Sequence, residues 1–278
     1  MSDYADVDAV LEGGARWSLL HADCLDVLPA LPDRSVAHVI TDPPYEAEAH
    51  TLQRRTKVYD PRATGRRDGM VAVVAPLKFE PISDVDRRAA AVDIGRVAAR
   101  WSLIFCQVEA AMKWRDATVG DEFGVNGVSY RRTCIWDKPD AMPQLTGDRP
   151  AMGYESIVAC HAKGRSRWNG GGRRGVFRHM KQQPEPSQSP PEHPTTKPLP
   201  LMLELVELFT DPDDIVLDPF AGSGTTGVAC LRLGRRFIGI EKDPTYAQLA
   251  RDRLTAEERG STLQAHRAGQ EPLFKVGT

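Results

Sequence analysis

Cysteine is scarce in this sequence, and the paired spacing that metal sites use is absent. The five cysteines are Cys24, Cys106, Cys134, Cys160 and Cys230, and no two of them form a Cys-x-x-Cys pair. An odd number of widely spaced cysteines predicts neither a disulfide framework nor a zinc site. We therefore expect reduced thiols in the core and no bound metal.

Long apolar runs are also lacking, and the pattern of the first residues leads us to expect no secretion leader. No stretch approaches the roughly 18 uninterrupted apolar residues of a membrane span. Residues 1–10 contain acidic and polar side chains instead of a basic and then apolar signal pattern. With 278 residues, 41% of them hydrophobic, the chain can bury one sizeable core. We expect one main domain with insertions, a cytoplasmic location and no membrane partner.

A strong net charge is absent as well, since the formal balance is −2, but the charges are unevenly distributed. Residues 50–67 contain six Lys or Arg against one Asp, and residues 164–181 contain six and no acidic residue. Solvated loops often have this composition. Two basic windows in one chain favour a surface that follows a phosphate backbone, with solvated loops as the alternative.

Apolar runs and helical spacings alternate along the rest of the chain. Strands are predicted at residues 17–20, 37–40, 102–105, 132–136, 215–218 and 237–241. Helices are predicted at residues 87–99 and 225–233, and Leu201, Leu205 and Leu208 mark one apolar face of a further helix. Because the last two strands flank a helix, they form a βαβ unit, which predicts an α/β fold.

Two segments lack such regularity. Residues 46–82 show no sustained period, which predicts a mobile DNA-binding loop that covers a site. Residues 139–191 are rich in Gly, Pro, Gln and Arg, which predicts an inserted and variable target-recognition region. The main domain would then comprise residues 1–138 and 192–278.

A glycine-rich loop, Asp218-Pro-Phe-Ala-Gly-Ser-Gly-Thr-Thr226, follows one predicted strand, and Glu241 closes the next. Glycines let a ligand approach the backbone, and the helix start beyond them offers free N–H groups. A carboxylate at the second strand end can accept hydrogen bonds from both ribose hydroxyls. This spacing predicts a nucleoside site, although glycine turns also serve helix–strand packing. The loop lacks the Gly-x-Gly-x-x-Gly pattern, which disfavours a NAD enzyme.

A second motif, Asp42-Pro43-Pro44-Tyr45, follows the predicted strand at 37–40, where open α/β sheets bind ligands. The exocyclic amine of adenine or cytosine is a poor nucleophile, because its lone pair is delocalised into the ring. Two acceptors for its N–H groups localise that lone pair, and an aromatic ring stacks on the base. Asp42, the Pro43 carbonyl and Tyr45 supply these groups, whereas the tetrapeptide alone would indicate a proline turn. The base would have to leave the duplex.

A third motif, His193-Pro-Thr-Thr-Lys-Pro198, lies between the other two. With all three, the sequence resembles the amino-methylating DNA methyltransferases of the β arrangement, and the resemblance covers His21 to about Leu254. It implies a doubly wound, Rossmann-like α/β sheet of permuted strand order, in which Asp42 and Asp218 meet at one sheet edge. It also implies S-adenosyl-L-methionine as cofactor, double-stranded DNA as substrate and a homodimer.

The resemblance assigns roles in cofactor binding. Thr195, Thr196 and Lys197 would hold the carboxylate of the methionine end, Asp218 would face its α-ammonium, and Asp23 would lie near the adenine. The predicted cofactor residues are Asp23, Cys24, Thr195, Thr196, Lys197, Asp218, Phe220, Ala221, Gly222, Ser223, Gly224, Thr225 and Glu241.

Other residues are assigned to the target base and the DNA. The predicted catalytic residues are Asp42, Pro43, Pro44 and Tyr45. The predicted DNA contacts are Arg54, Arg55, Arg66, Arg67, Arg165, Arg167, Trp168, Arg173 and Arg174. Trp136, Asp137 and Lys138 match a strand end beside the base pocket, with core packing favoured for Trp136. Asn169 and Gln144 are candidates for reading adenine edges.

Adenine N6 is the predicted target, because an Asp heads the tetrapeptide, and cytosine N4 is the alternative. An RNA substrate is less favoured. A DNA-binding regulator that has lost catalysis is the alternative from another class, and the intact motifs disfavour it. A nucleotide-cofactor oxidoreductase would leave Asp42-Pro-Pro-Tyr45 unexplained. The recognition sequence and a partner restriction enzyme are not encoded in any motif of this chain.

Overall fold

The computed structural model of the protein describes residues 2–45, 55–59, 70–74, 81–120, 127–141, 143, 150–181 and 196–270. The helices are α1 Ser2–Leu11, α2 Cys24–Val27, α3 Asp84–Val97, α4 Ala111–Val119, α5 Leu199–Phe209, α6 Thr225–Arg232, α7 Pro244–Glu258 and α8 Leu263–Arg267. The strands are β1 Trp17–His21, β2 His38–Thr41, β3 Arg55–Tyr59, β4 Met70–Val74, β5 Trp101–Cys106, β6 Val128–Asp137, β7 Tyr154–Ala162, β8 Val176–Arg178, β9 Ile215–Asp218 and β10 Arg236–Glu241.

Eight strands form one sheet in the order β1-β10-β9-β2-β5-β7-β6-β8. The first five of these are mutually parallel, β7 is antiparallel to both of its neighbours, and β8 is parallel to β6. Every residue of β2, β5 and β9 is buried. Strands covered on both faces read as continuous apolar runs, which is why the sequence predicts them well.

Helices cover both faces of the sheet. Side chains from α5, α6 and α7 pack in one hydrophobic cluster, and side chains from α1, α3 and α4 pack in a second. The predicted face of α5 is confirmed, since Leu201, Leu205 and Leu208 are all buried. The doubly wound α/β architecture is therefore the one that the sequence implies.

The strand order joins distant parts of the chain. β2, near the start of the sequence, pairs with β9, near its end, through Val39 opposite Leu217. The carboxyl ends of β1, β10, β9, β2 and β5 all point to one edge of the sheet, here called the carboxyl edge. Asp42 follows β2 and Asp218 ends β9 at this edge, so the predicted meeting of the two aspartates is confirmed.

The structure corrects the two segments that were expected to be irregular. β7 lies inside residues 139–191, yet it is a nine-residue strand between β5 and β6 in the main sheet. Its last seven residues are buried, because the run Ser156–Ala162 is almost wholly apolar. Residues 139–191 are thus not one inserted unit. Within residues 46–82, β3 and β4 form a two-stranded antiparallel sheet.

All five cysteine side chains are buried. Among the residues that the structure describes, no helix combines the length and the apolar character needed to cross a bilayer. The same residues contain no group of three or more His, Cys, Asp or Glu side chains placed to share a metal ion.

Candidate active site

Asp218 links three elements at the carboxyl edge. Its Oδ1 accepts hydrogen bonds from the Thr41 hydroxyl at 2.7 Å and the Phe220 backbone N–H at 3.1 Å, and its Oδ2 accepts one from the Thr226 hydroxyl at 2.6 Å. Burial raises the pKa of Asp218 to about 6, while these donors oppose the rise. The side chain is 2% exposed. Asp218 therefore holds the glycine loop in place, and its expected contact with the cofactor's α-ammonium stays a prediction.

Glu241 faces the same loop from the end of β10. Its Oε2 accepts a hydrogen bond from the Gly222 backbone N–H at 2.7 Å, and its Oε1 accepts one from the Asp243 backbone N–H at 2.8 Å. Burial raises the pKa of Glu241, and the backbone donors oppose that effect. A carboxylate has about four acceptor positions. Glu241 is thus held in place and keeps acceptor capacity for the two ribose hydroxyls of a nucleoside.

Gly224 fixes how closely the loop approaches helix α7. Its φ is +78°, and a Cβ built there would lie 2.9 Å from the Cβ of Ala250. Only glycine combines this left-handed backbone with so close an approach. The loop ends at Gly224, where α6 begins and offers its first backbone N–H groups to a ligand.

Arg253 supports the loop from α7, and the sequence analysis did not identify it. Its Nη1 donates to the Ser223 carbonyl at 2.7 Å, to the Ser223 hydroxyl at 3.0 Å and to the Thr225 hydroxyl at 3.0 Å. The arginine is buried. Its position on an otherwise ordinary amphipathic helix carries no sequence signal for this contact.

Asp23 and Cys24 lie beside Glu241, because β1 and β10 pair with His21 opposite Glu241. Asp23 Oδ1 accepts the Leu25 backbone N–H at 3.0 Å and so caps α2, while Oδ2 pairs with Lys242 at 2.7 Å. Cys24 is buried, and burial raises the pKa of its thiol to about 12. Asp23 is at the expected end of the nucleoside site, whereas the Cys24 side chain packs in the core.

Residues 196 and 197 bridge the two predicted motifs. The Thr196 hydroxyl lies 3.4 Å from the Ser223 hydroxyl in the glycine loop. Lys197 points the other way, and its Nζ contacts Asp42 Oδ2 and lies 3.5 Å from the Tyr45 hydroxyl. Lys197 was expected at the cofactor's carboxylate, and the structure instead puts it against Asp42. Thr195 lies outside the described residues.

The two carboxylate oxygens of Asp42 differ in their hydrogen bonding. Oδ2 pairs with Lys197, while Oδ1 is buried and has no hydrogen-bond partner among the described residues. About a quarter of the side chain, 26%, remains exposed. Burial raises the pKa of Asp42, the Lys197 ammonium opposes this, and Glu155 adds to it. A buried acceptor without a donor is costly, so Oδ1 is suited to accept a hydrogen bond from a ligand.

Glu155 and Lys138 complete this corner of the site. Glu155, near the start of β7, contacts Lys138 Nζ through Oε1 and lies 3.3 Å from Lys197 Nζ through Oε2. The two lysines hold the pKa of Glu155 below its usual value, although burial alone would raise it. Glu155 was not among the predicted site residues, because it lies in the segment 139–191 that was expected to be irregular.

Aromatic rings surround the Lys197 ammonium. Its Nζ lies 5.1 Å from the ring centroid of Phe105, 5.5 Å from that of Tyr45 and 5.8 Å from that of Trp136. Such distances allow cation–π attraction. Trp136 is buried and donates its indole N–H to the His179 carbonyl at 2.9 Å, so its expected core packing is confirmed.

Part of the second basic window lies away from this site. His161 pairs with Trp101 at the amino end of β5, so the chain leaves β7 at the edge opposite Asp42. Trp168 packs on Phe209 with ring centroids 4.7 Å apart. Asn169 donates its amide to the Thr210 carbonyl at 2.9 Å at the end of α5. These contacts do not favour the expected DNA contact by Trp168 or the expected base reading by Asn169.

The arginines predicted to contact DNA differ in their surroundings. Arg167 lies 3.2 Å from Asp211, and Arg173 pairs with Glu204. Arg165 and Arg174 are exposed. Arg55 begins β3. The other predicted contacts, Arg54, Arg66, Arg67 and Gln144, lie outside the described residues.

Residues 36–252 match the DNA methylase family of N6 and N4 methyltransferases. YubD of Escherichia coli strain K12, a protein provisionally named a methylase, is 29% identical over 247 residues, which cover 86% of this chain and 91% of YubD. The crystal structure of the M1.HpyAVI–SAM complex superposes with a TM-score of 0.58 at 27% identity, covering 86% of this chain and 100% of that one. The cytosine-N4-specific PvuII DNA methyltransferase has the same fold, with a TM-score of 0.61 at 15% identity over 92% of this chain and 94% of that one.

Proposed function

The chain belongs to the DNA methylase family of N6 and N4 methyltransferases, and from that premise we propose that it methylates N6 of adenine in duplex DNA. It is a DNA methyltransferase whose methyl donor is S-adenosylmethionine. This donor supplies an activated methyl group on a sulfonium. The remaining chemistry, which is to orient the amine and to make its lone pair available, falls to the protein.

The observation that carries the proposal is the arrangement of Asp42. Its Oδ1 is a buried acceptor without a hydrogen-bond partner among the described residues, and it lies at the same sheet edge as the loop of Gly222 and Gly224. An amine that donates one N–H to this oxygen and the other to the Pro43 carbonyl has its lone pair directed out of conjugation with the ring. Tyr45 supplies an aromatic face on which the base can stack.

The nucleoside end of the donor fits the groups beside this acceptor. Glu241 is held by two backbone N–H groups and retains acceptor positions for the ribose. Thr196, Asp23 and Phe220 are partly exposed around the glycine loop. We assign these residues to the donor and Asp42 with Tyr45 to the base, which must leave the duplex to reach them.

We propose adenine over cytosine because an Asp heads the tetrapeptide. A carboxylate is a strong acceptor for the amine of either base, and product analysis distinguishes the two. The PvuII enzyme is cytosine-N4-specific, but the likeness to it concerns the fold alone. The homodimer and the cytoplasmic location stay predictions.

The test is a product analysis on each base separately. The purified protein is incubated with S-adenosylmethionine and unmethylated DNA, and the DNA is digested to nucleosides for mass spectrometry. N6-methyladenine supports the proposal, while N4-methylcytosine replaces it with the cytosine reaction. Tight donor binding without any methylated base would indicate a DNA-binding regulator that has lost catalysis.

A further inference from the structure

We propose that Glu155 is a positioning residue for methyl transfer, which holds Lys197 in contact with Asp42 and Tyr45 so that the Asp42 oxygen without a partner among the described residues can accept a hydrogen bond from the target amine. The inference rests on the proposed function of Asp42. It concerns a residue outside all three sequence motifs, and it explains why a glutamate is buried at the start of β7.

Glu155 reaches both ends of the Asp42-Pro-Pro-Tyr45 motif through Lys197. Lys197 Nζ lies between Glu155 Oε2, at 3.3 Å, and Asp42 Oδ2. The same Nζ lies 3.5 Å from the Tyr45 hydroxyl. One carboxylate thus restrains the lysine that contacts both the stacking ring and the acceptor Asp42.

These groups come from four separate elements. Asp42 and Tyr45 follow β2, Glu155 is the second residue of β7 and lies opposite Trp136 of β6, and Lys197 lies two residues before α5. Lys138, which contacts Glu155 Oε1, follows β6. Because β7 is antiparallel to β5, its first residues lie at the carboxyl edge, where the parallel strands end. The antiparallel strand β7 therefore places the Glu155 carboxylate at the carboxyl edge, beside the residues that follow the parallel strands.

Charge alternates along this chain of contacts. The order is Asp42, Lys197, Glu155 and Lys138, so two acids and two lysines neutralise one another in a site that is mostly buried. Only 12% of the Glu155 side chain is exposed. A single charge in such a place is strongly disfavoured, whereas alternating pairs with hydrogen bonds are tolerated. Removing Glu155 leaves Lys197 free to shift fully onto Asp42.

The surroundings of Asp42 and Glu155 shift the pKa values of the two carboxyl groups in opposite directions. Burial and the Glu155 charge raise the pKa of Asp42, whereas the two lysines lower the pKa of Glu155. Opposed environments of this kind divide two carboxyl groups into different roles. Glu155 remains the permanent anion that anchors Lys197, and Asp42 is the more basic acceptor that faces the substrate.

The charged groups around Asp42 all affect its pKa and therefore the pH dependence of turnover. Lys197 and Lys138 are cations beside it, Glu155 is an anion beside it, and Asp218 lies close enough for like-charge repulsion. Protonated Asp42 loses its strength as an acceptor, so the acid limb of the rate profile follows its titration. Removal of the Glu155 charge lowers the midpoint of that limb, while removal of the Lys197 charge raises it.

The experiment compares Glu155→Gln, Lys197→Met and the matched control Glu207→Gln, in which an exposed glutamate of α5 is neutralised. Turnover is measured between pH 5 and 9 at saturating donor and DNA, and donor affinity by calorimetry. We expect Glu155→Gln to lose about tenfold or more in kcat, with donor Kd unchanged and the acid limb moved to lower pH. The control should match the parent protein.

A merely structural ion pair gives a different pattern. In that case Glu155→Gln and Lys197→Met lower the melting temperature and kcat together, and neither moves the acid limb. Glu155→Asp provides a second variant if Glu155→Gln does not fold, because it keeps the charge and withdraws it by one methylene. It should lower kcat while leaving the acid limb near that of the parent protein.

A second readout does not depend on activity. Aspartate labelled with ¹³C at the carboxyl carbon reports the titration of Asp42 in the protein without DNA, and Asp42→Asn assigns the resonance. We expect a lower midpoint in Glu155→Gln and a higher midpoint in Lys197→Met than in the parent protein. Equal midpoints in all three overturn the inference, even if the parent methylates adenine. If the parent methylates no base, the proposed function fails while the titration still decides the role of Glu155.

Discussion

Thr41 donates its hydroxyl hydrogen to the Asp218 carboxylate over 2.7 Å, although 177 positions separate the two residues in the sequence. This bond joins the strand that carries the Asp42 motif to the strand that carries the glycine loop. The acceptor for the amine and the loop for the donor therefore lie side by side, which is the requirement for direct transfer between two bound molecules.

Replacement of Asp42 by Ala should abolish catalysis while leaving donor binding nearly unchanged. We expect turnover to fall by at least about 10³-fold, since the variant removes the acceptor that polarises the amine. The Kd for S-adenosylmethionine should stay within about threefold of the parent value, because the glycine loop is untouched. Single-turnover kinetics and calorimetry measure the two quantities, and retained turnover removes Asp42 from the mechanism.

Replacement of Glu241 by Ala has the opposite signature. It removes the acceptor for the ribose and releases the Gly222 backbone N–H, so donor affinity should fall by about tenfold or more. Glu12→Ala, which alters an exposed acid near β1, is the control. Calorimetry with S-adenosylmethionine checks the result, and an unchanged Kd contradicts the ribose assignment.

Replacement of Arg253 by Met tests whether the glycine loop needs support from α7. The variant leaves the Ser223 carbonyl and two hydroxyls without this buried donor, which costs about 1–3 kcal/mol of unfolding free energy. The KM for the donor should rise several-fold while kcat at saturation stays near the parent value. A loss of kcat with an unchanged KM speaks against support of the donor loop.

Asp218 should make folding stability depend on pH. Its pKa is raised to about 6 in the folded protein, against 3.8 for the ordinary side chain, so the folded state binds the proton more tightly than the unfolded state. The stabilisation from this proton is complete below about pH 4 and is lost as the pH rises through about 6, amounting to roughly 2–3 kcal/mol. The unfolding free energy, measured with urea at several pH values, should fall with pH in the parent protein over this window but not in Asp218→Asn. If the two proteins show the same dependence on pH, the assignment is contradicted.

Trp168 should contribute to stability and not to DNA affinity, because its ring packs on Phe209. Trp168→Ala is expected to lose about 1–3 kcal/mol of unfolding free energy, with Trp168→Phe retaining most of it. DNA affinity, measured by fluorescence anisotropy at two salt concentrations, should not change. A selective loss of DNA affinity in a variant of normal stability restores the original expectation of a DNA contact.

Much of the fold follows from sequence pattern, because central parallel strands are uniformly apolar. β2, β5 and β9 are buried at every residue and are readily predicted. β7 is equally buried over its last seven residues, but Gly, Pro and Arg on either side of it dominate the local composition. Such a strand can be predicted only when the composition of the apolar run is considered separately from that of the residues on either side.

The site residues that belong to short sequence motifs could be predicted, whereas those that the fold brings in from distant parts of the chain could not. Asp42, Tyr45 and Glu241 occupy the expected edge of the sheet. Glu155 and Arg253 reach the site through a strand and a helix that are distant in sequence from the motifs they contact. Sequence spacing carries no information on such contacts, because they depend on the register of β7 and on the packing of α7.

Lys197 shows the same limit within a motif. Its position next to Thr196 indicates a residue near the donor, and the residue is indeed near the glycine loop. The direction of its side chain depends on Glu155 and Asp42, which lie on the other side of the backbone. The motif therefore predicted the neighbourhood of Lys197 and not its partner.

Whether Asp42 orients a base amine for methyl transfer can be measured with a donor whose methyl group carries deuterium. The parent protein and Asp42→Ala are incubated in parallel with this donor and unmethylated DNA, and the nucleosides are analysed by mass spectrometry. We expect trideuterated N6-methyladenine from the parent protein and none from the variant, although both bind the donor. Labelled product from the variant at the parent rate, or label on no base from either protein, would contradict this expectation.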